Sequence, residues 1–338
     1  MRIIVDACGG DKGPIEAIKA CRAAADEFGF EISLVGNESE IKSQSEKNKI
    51  SLEKIDIIHA SDVIHMHDSP MSIMKEKKES SMAKGLRMLA GGEGDAFVSS
   101  GNSGALTVGG TLIVKRIKKI KRCAFAPVIP KDDGFFMLID SGANVECRPE
   151  MLCQFGVMGS VYMKNVMLVN DPKVGLANIG VEKCKGGELQ QEAYELLSKS
   201  GLNFIGNIEA RDIPSGAADV VVADGFTGNI ILKLYEGMAK EIFGKFKGIL
   251  TKNLKNKLAA CLLKSDLTEL KKKMDYKEYG GAPLMGTSKP VFKAHGNADA
   301  KTFKSAIRLA GEYAKRNVVG VISEAVRETK TEDKGEGF

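Results

Sequence analysis

Short apolar runs alternate along the chain with longer segments that carry apolar residues at helical spacing. Short runs bounded by glycine, proline or polar clusters are typical of buried strands. Apolar positions three and four residues apart are typical of helices that pack on a sheet. The sequence therefore predicts strands over 2–7, 31–36, 55–60, 96–98, 123–129, 134–140, 173–179, 203–207, 219–223 and 290–294, and helices over 14–28, 71–89, 105–117, 150–165, 188–200, 299–317 and from 230 onward.

Strands that alternate with helices over this length indicate an α/β protein with a parallel or mostly parallel sheet. Ligands of such sheets bind outside the carboxyl ends of the strands. Four polar, glycine-bearing turns follow predicted strands, and we expect them to gather at one edge: Asp6 to Asp11, Ser99 to Gly104, Asp140 to Asn144, and Asp224 to Asn229. Four turns of one design favour a binding site more than any single turn does.

The turn from Ser99 to Gly104 joins a predicted strand to a predicted helix, which directs backbone N–H groups toward one point. The partial positive charge of a helix N-terminus adds to this, so we interpret the turn as a seat for an anion. Its side-chain donors and its glycines, which let a ligand approach the backbone, are Ser100, Asn102, Ser103, Gly101 and Gly104. A tight connection that binds nothing is the alternative interpretation.

Residues 245–278 differ from the rest of the chain and predict a basic amphipathic helical hairpin. Lysines crowd its polar sides, and its two sets of apolar residues keep helical spacing. The sets are Leu254, Leu258, Cys261 and Leu262, and Leu267, Leu270 and Met274. Two interpretations stay open: a self-packed hairpin or dimer contact, and adsorption to an anionic membrane surface. A glycine-rich loop is expected over 279–286, and a flexible tail over 328–338.

The composition gives no support to several classes of function and site. A net charge of +5 on 338 residues and the absence of Trp give no support to nucleic-acid binding. Seven cysteines without a Cys-x-x-Cys pair indicate neither a disulfide framework nor a zinc site and favour a reducing cytoplasm. No run reaches the roughly 20 apolar residues that a spanning helix needs.

The sequence lacks the usual cofactor and nucleophile motifs. It has no dinucleotide fingerprint, no P-loop and no Gly-x-Ser-x-Gly elbow, so we expect no cofactor. His65-Met-His67 beside Asp68 is too sparse for a metal site, and none is expected. Cys8 lies in a glycine turn before a helix, where a thiol pKa would fall. His295 follows a strand and suits a structural or a catalytic histidine equally.

An anion pocket without an evident covalent nucleophile suits a reaction in which the nucleophile is itself an anion. Inorganic phosphate is such a nucleophile, because it needs positioning and oxyanion stabilisation rather than activation.

The ordered motifs resemble one family, the bacterial phosphate acyltransferases known as PlsX. They are Val5-Asp-Ala-Cys-Gly-Gly-Asp11, Ser100-Gly-Asn-Ser-Gly-Ala105, Asp140-Ser-Gly-Ala-Asn144, Gly225-Phe-Thr-Gly-Asn229, Tyr279-Gly-Gly-Ala-Pro283 and His295-Gly. The resemblance runs from Met1 to about Thr329. Cys8 stands where the family usually has Met, which argues against a nucleophilic cysteine.

The resemblance implies transfer of a long-chain acyl group from acyl-[acyl carrier protein] to inorganic phosphate, giving acyl phosphate for phospholipid synthesis. It implies a homodimeric, three-layer α/β/α Rossmann-like body akin to isocitrate and isopropylmalate dehydrogenases, with residues 1–327 as a single catalytic domain. It also implies cytoplasmic location with peripheral attachment to anionic membranes, and the downstream glycerol-3-phosphate acyltransferase as a further candidate partner.

On this resemblance, phosphate is held by Ser100 to Gly104 with Asn229, and Lys185 offsets its charge. The oxyanion donors are Asn102, Asn144 or His295, and Lys185 or His295 protonates the leaving thiolate. The full set of positions expected to bind phosphate or substrate is Asp6, Gly9, Gly10, Asp11, Ser100, Gly101, Ser103, Gly104, Asp140, Asn144, Asp224 and Gly228. Carrier-protein contacts fall to Lys75, Lys77 and Lys78, and membrane contacts to Leu258, Leu262 and Leu263.

Two other classes of function stay open from the sequence. One is a short-chain phosphate acyltransferase that acts on a CoA thioester, and the other is a non-catalytic membrane-bound scaffold for lipid enzymes.

Overall fold

The computed structural model describes residues 1–131, 134–273 and 280–328. The first elements are β1 (Arg2–Asp6), α1 (Pro14–Phe28), β2 (Glu31–Gly36), α2 (Glu38–Lys47), β3 (Ile55–His59), α3 (Ser81–Gly91), β4 (Ala96–Ser99) and α4 (Ser103–Gly109). Next come β5 (Ala124–Phe125), β6 (Val128–Pro130), β7 (Phe135–Ile139), α5 (Pro149–Asn165), β8 (Val174–Asn178), α6 (Glu188–Ser198), β9 (Phe204–Glu209), β10 (Val220–Val222) and α7 (Gly225–Thr251). The last are α8 (Leu254–Leu262), α9 (Lys264–Lys273), β11 (Gly281–Met285), β12 (Val291–Ala294), α10 (Ala300–Lys315) and α11 (Val318–Glu328).

The strands of the described residues form two sheets. The first has the order β3-β2-β1-β4-β12-β11-β5, and β11 is antiparallel to both of its neighbours. The second has the order β6-β7-β10-β8-β9, with β6 antiparallel to β7. All other pairs are parallel. The predicted fold class, an α/β protein with mostly parallel strands, is confirmed, although the strands are divided between two sheets.

One hydrophobic cluster joins the two sheets. Ile3 and Phe292 of the first sheet, Met137 and Val220 of the second, and Tyr162 of α5 are all fully buried in it. Burial of large apolar side chains is the main stabilising term of folding. The shared cluster therefore holds the carboxyl ends of β1, β4 and β12 close to those of β7 and β10.

The predicted helix over 71–89 is wrong in its first half. Pro70–Met74 forms a 3₁₀ turn, the residues up to 79 form further turns, and only Ser81–Gly91 is α-helical. Ser80 accounts for the late start, because its Oγ accepts a hydrogen bond from the N–H of Ala83 and caps the helix.

Three other predictions need correction. The apolar run over 123–129 is not one strand, since β5 and β6 belong to different sheets and Pro127 between them has no N–H to donate. The expected loop over 279–286 contains strand β11. The long helix predicted from Ile230 begins at Gly225, because Asp224 caps it by accepting from the N–H of Thr227 at 2.8 Å. The apolar pattern also does not predict α11.

Helices α7 and α8 expose many apolar side chains. The α7 stripe, spaced by three or four residues, consists of Phe226, Ile230, Leu234, Met238, Ile242, Phe246 and Ile249. The hairpin leucines, Leu258, Leu262 and Leu263, are exposed by 66%, 79% and 48%, and their contact with a membrane stays a prediction. Helices α8 and α9 occupy the segment predicted as a hairpin, whereas the side chain of Leu270, the whole of Met274 and the tail beyond 328 lie outside the described residues. No helix in the described ranges is long and apolar enough to cross a membrane.

Candidate functional site

A cavity of about 590 Å³ lies where the carboxyl ends of strands from both sheets meet. Its lining includes both polar and apolar side chains, and the apolar part is the larger. The polar side chains are Asp11, Ser103, Ser141, Asn229, Lys233, Glu236, Lys293, His295 and Thr302. The apolar side chains are Phe125, Pro127, Val128, Ile129, Pro130, Leu232, Tyr235 and Ala239, together with Met66 and the backbone of several glycines. Four predicted site residues line it: Asp11, Ser103, Asn229 and His295.

The turn after β1 is organised by Asp6, which does not line the cavity. Its carboxylate accepts hydrogen bonds from the hydroxyls of Ser81 (2.7 Å) and Ser99 (2.6 Å) and from the N–H of Cys8 (3.1 Å). Burial raises the pKa of Asp6, and these donors oppose the shift. The expectation that Asp6 contacts phosphate is not supported, because its oxygens already hold three segments together.

Cys8 is not an activated thiol. Burial, together with the nearby charge of Asp6, raises its pKa to about 11, so the thiolate is scarce at neutral pH. The helix-terminus position that favoured a low pKa is therefore outweighed by desolvation.

Glycines bring the turns after β1 and β4 into direct contact. A Cβ on Gly9 would lie 2.5 Å from Cα of Gly101, and one on Gly10 would lie 2.6 Å from Oγ of Ser100. Both distances are too short for any side chain. Gly101 and Gly104 are similarly crowded, by side chains of Met82 and Pro70. These predicted glycines therefore set the approach of the two turns and do not themselves line the cavity.

Asn102 is a structural residue rather than an oxyanion donor. Its Oδ1 accepts from the N–H of Ala105 (3.0 Å) and caps α4. Its Nδ2 donates to the carbonyls of His65, Met66 and Asp68 at 3.1–3.2 Å. Because the amide has only two N–H groups, it has none left for a ligand.

The turn after β7 is built in the same way around Asp140. This fully buried carboxylate accepts from the N–H groups of Phe125, Gly142, Ala143 and Asn144, and from Nδ2 of Asn144 at 2.9 Å. Nδ2 of Asn144 also donates to the carbonyl of Cys123 at 2.7 Å. Neither Asp140 nor Asn144 is positioned as a ligand contact, and only their neighbours Ser141 and Gly142 reach the cavity.

The start of α7 packs against this turn and delivers Asn229 to the cavity. A Cβ on Gly228 would lie 1.8 Å from the carbonyl oxygen of Asp140, so only glycine fits there. Asp224 is occupied as the helix cap. Asn229 is exposed, and its side chain lies next to Gly142. Lys233 and Glu236 follow on the same face of α7.

Lys293 is a cation in direct contact with the anion turn. Its Nζ donates to the carbonyls of Ser100 (2.9 Å) and Ala294 (2.6 Å). Burial lowers its pKa to about 8, whereas Asp11 and Asp6 favour the charged form.

His295 faces an acidic partner across the cavity wall. Its Nε2 lies 3.8 Å from Oε1 of Glu236, whose other oxygen accepts from Lys233 at 3.1 Å. The N–H of Asn297 donates to Nδ1 at 3.4 Å, which places the proton of the neutral ring on Nε2. Burial lowers the pKa of His295 and Glu236 raises it, with burial dominant, so the neutral ring prevails at pH 7.

The remaining predicted cations lie elsewhere. Lys185 is exposed in the loop between β8 and α6 and does not line the cavity, so the geometry does not support its role in offsetting phosphate charge. Lys75, Lys77 and Lys78 lie on turns instead of a helix, and Lys77 is paired with Asp62 at 2.7 Å. Within the described residues, no group of three or more His, Cys, Asp or Glu side chains could hold a metal ion.

Sequence reasoning missed Lys233, Glu236 and Lys293. Two signals point to them. Lys233 and Glu236 lie four and seven residues after Asn229, which is helical spacing, and Lys293 interrupts an apolar strand just before His295. The apolar side chains of the cavity carry no such signal, since they come from separate segments of the chain.

Known proteins with similar sequences match nearly the whole chain. A family profile described as "Fatty acid synthesis protein" matches residues 1–320. The chain is 46% identical over 326 residues to a phosphate acyltransferase of Alkaliphilus oremlandii, covering 96% of this chain and 97% of that protein. It is 45% identical over 334 residues to a phosphate acyltransferase of Acetivibrio thermocellus, covering 98% of each.

Solved structures show the same fold at low identity. EutD phosphotransacetylase from Staphylococcus aureus superposes with a TM-score of 0.62 at 16% identity, over 92% of this chain and 94% of that one. 4-Hydroxythreonine-4-phosphate dehydrogenase from Klebsiella pneumoniae gives a TM-score of 0.56 at 13% identity, over 93% and 99%. The similarity is one of fold, and it agrees with a Rossmann-like architecture.

Proposed function

Because the chain belongs to the fatty acid synthesis protein family and is a phosphate acyltransferase, we propose that its acyl donor is a long-chain acyl-[acyl carrier protein]. The product is then an acyl phosphate for phospholipid synthesis. The observation that carries the proposal is the mixed lining of the cavity, which has a polar part with two lysines and a larger apolar part. An anionic nucleophile suits the first part and an alkyl chain the second.

In the proposed reaction, phosphate lies against the turn from Ser100 to Gly104 and the amide of Asn229. A phosphate oxygen attacks the thioester carbonyl, a C–O bond forms, and the C–S bond breaks. The thiolate of an ordinary thiol, with a pKa of about 8.5, leaves without a strong acid and takes a proton from solvent.

His295 is the proposed oxyanion donor. Its neutral ring carries the proton on Nε2, so it can donate a hydrogen bond to the tetrahedral intermediate without giving up the proton. Of the three candidate donors, Asn102, Asn144 and His295, only His295 remains, because the amides of Asn102 and Asn144 are occupied.

We further propose that the protein acts as a homodimer at an anionic membrane surface in the cytoplasm. The α7 stripe extends over most of a 27-residue helix, and a continuous exposed apolar face of this kind is typical of a subunit interface. The hairpin leucines lie beside many lysines, the composition of a membrane-adsorbing helix. Residues 1–327 are proposed as a single catalytic domain, since both sheets share one core.

Binding of the carrier protein is proposed for exposed lysines of the turns before α3. Acyl carrier protein is acidic as a class, and exposed Lys75 and Lys78 offer complementary charge. The downstream glycerol-3-phosphate acyltransferase stays a proposed partner on the resemblance alone.

The test is acyl phosphate formation. Purified protein is incubated with inorganic phosphate and either palmitoyl-[acyl carrier protein] or acetyl-CoA, and acyl phosphate is trapped with hydroxylamine. We expect phosphate-dependent hydroxamate from the palmitoyl substrate only. Equal or greater turnover of acetyl-CoA would instead assign the short-chain activity.

Asn229→Ala should lower kcat/KM for phosphate strongly while the protein stays folded. Asn165→Ala, at the end of α5 and outside the cavity lining, is the matched control and should behave as wild type. Equal activity of both variants would contradict the assignment of Asn229.

A further inference from the structure

Lys293 occupies a position where a charge is costly. Its neighbours on β12, Phe292 and Ala294, are fully buried, and it pairs in register with Ser99 at the end of β4. A charged group in such surroundings is stable only with hydrogen-bond partners and compensating charge. The contacts of Lys293 therefore indicate its function.

The ammonium group is only partly satisfied by the protein. Two of its three N–H groups donate to carbonyls, at 2.9 Å to Ser100 and 2.6 Å to Ala294. Carbonyls satisfy donors but carry no net charge. The carboxylates that act on Lys293 are those of Asp6 and Asp11, and Asp6 is already held by three other donors.

Lys293 is also a direct link between the anion turn and the cavity. Ser100, whose carbonyl it binds, belongs to the turn from Ser99 to Gly104, and the lysine side chain itself lines the cavity beside Ser103 and Asn229. Lys233 of α7 also lines the cavity, and its charge acts on Lys293.

We propose that Lys293 is a catalytic residue that binds the phosphate co-substrate through its third N–H and holds its negative charge during attack on the thioester. This inference rests on the proposed function. The proposal gives Lys293 the role of offsetting the phosphate charge. The sequence analysis assigned that role to Lys185, which does not line the cavity. Ser100 acts through its carbonyl, which aims the ammonium group at the bound anion.

The first test compares Lys293→Met with Lys131→Met. Lys131 is a largely buried lysine that is paired with Asp219 at 2.8 Å and lies outside the cavity lining, so it controls for loss of a buried cation. Loss of a charged hydrogen bond is expected to lower kcat/KM for phosphate roughly 10- to 100-fold in Lys293→Met. The control should keep the wild-type value, and KM for the acyl thioester should change little in either variant.

Rescue by charge separates binding from support of the fold. Lys293→Arg keeps a cation and should recover part of the phosphate affinity, whereas Lys293→Gln should not. Equal losses in the Arg and Gln variants, with phosphate KM unchanged, would overturn the proposal and leave Lys293 a structural residue.

A pH profile provides an independent readout. The charged and titratable groups that act on Lys293 come from three elements. They are Asp6 at the end of β1 and Asp11 in the turn after it, Lys233 of α7, and His295 directly after β12. The ratio of wild-type to Lys293→Met kcat/KM cancels the ionisation of phosphate itself. The ratio should be large below pH 8 and should fall above it, as the free lysine loses its proton. A ratio that does not change with pH would refute the proposal.

A measurement on the wild-type protein covers the case in which the variants do not fold. Amine labelling is followed by mass spectrometry with and without inorganic phosphate. Phosphate should slow labelling of Lys293 but not that of Lys304, a surface lysine paired with Glu27. Absence of protection would overturn the role of Lys293. Protection without acyl phosphate formation would support the phosphate site while contradicting the proposed reaction.

Discussion

Ala239 is expected to limit the length of the acyl chain. It lies on α7, partly buried, among the apolar residues that line the cavity, and Asn229 lines the cavity from the start of the same helix. The ten residues that separate them along the helix correspond to about 15 Å at a rise of about 1.5 Å per residue. An extended chain advances about 1.2 Å per bond, so this length accommodates about 12 carbons.

Ala239→Phe should therefore exclude the distal end of a long chain. If the ring displaces about four methylenes at about 0.8 kcal/mol each, about 3 kcal/mol of binding is lost for a palmitoyl chain. This is a loss of more than about 100-fold in kcat/KM for palmitoyl relative to decanoyl substrate. The assay measures kcat/KM over a series of acyl-[acyl carrier protein] substrates of increasing length.

Gly237→Ala is the matched control. Gly237 is on the same helix, and a Cβ added there meets no atom within 4 Å, so chain-length preference should stay as in the wild type. The reasoning is refuted if Ala239→Phe lowers kcat/KM equally for all lengths, or leaves the preference unchanged.

Three further predictions follow from the site and the helical surface. Gly228→Ala should strongly destabilise the protein in urea unfolding, because its Cβ would lie 1.8 Å from the carbonyl oxygen of Asp140, and a wild-type midpoint would contradict this. Glu236→Gln should lower the pKa of His295 further, because the carboxylate now favours the charged ring; an NMR titration of the imidazole measures it, and an unchanged or raised value would count against the contact. Replacing the three hairpin leucines by Asp should release the protein from anionic vesicles in flotation assays, whereas persistent binding would favour a dimer contact.

The general architecture can be read from the sequence because it depends on local patterns. Alternating apolar runs and amphipathic segments indicate strands and helices, and a polar turn after each strand indicates the ligand edge. The turns around Asp11, Ser103, Asn229 and His295 do meet at one cavity. Membership of the family was recognised from the same turns, and the comparisons confirm it.

The roles of individual polar residues could not be read in this way. Three polar residues of types common in binding sites prove to be structural: Asp6, Asn102 and Asp140. Their side chains form hydrogen bonds within the protein that stabilise the turns. Sequence spacing does not show which lone pairs and N–H groups are already taken. The sequence alone does not distinguish Lys185 from Lys293 as a ligand for phosphate. The pairing of β12 with β4 does, because it places Lys293 next to the anion turn.

The order of the strands has a consequence for how the protein is made. The chain leaves the first sheet after β5, forms the whole second sheet, and returns with β11 and β12. Until β12 is synthesised, β4 is an open edge, and open edges invite pairing with other chains. A nascent chain that stalls before this point exposes that edge and also lacks Lys293 and His295. Completion of the first sheet therefore coincides with delivery of Lys293 and His295 to the candidate site, and both wait until the whole second sheet has been synthesised.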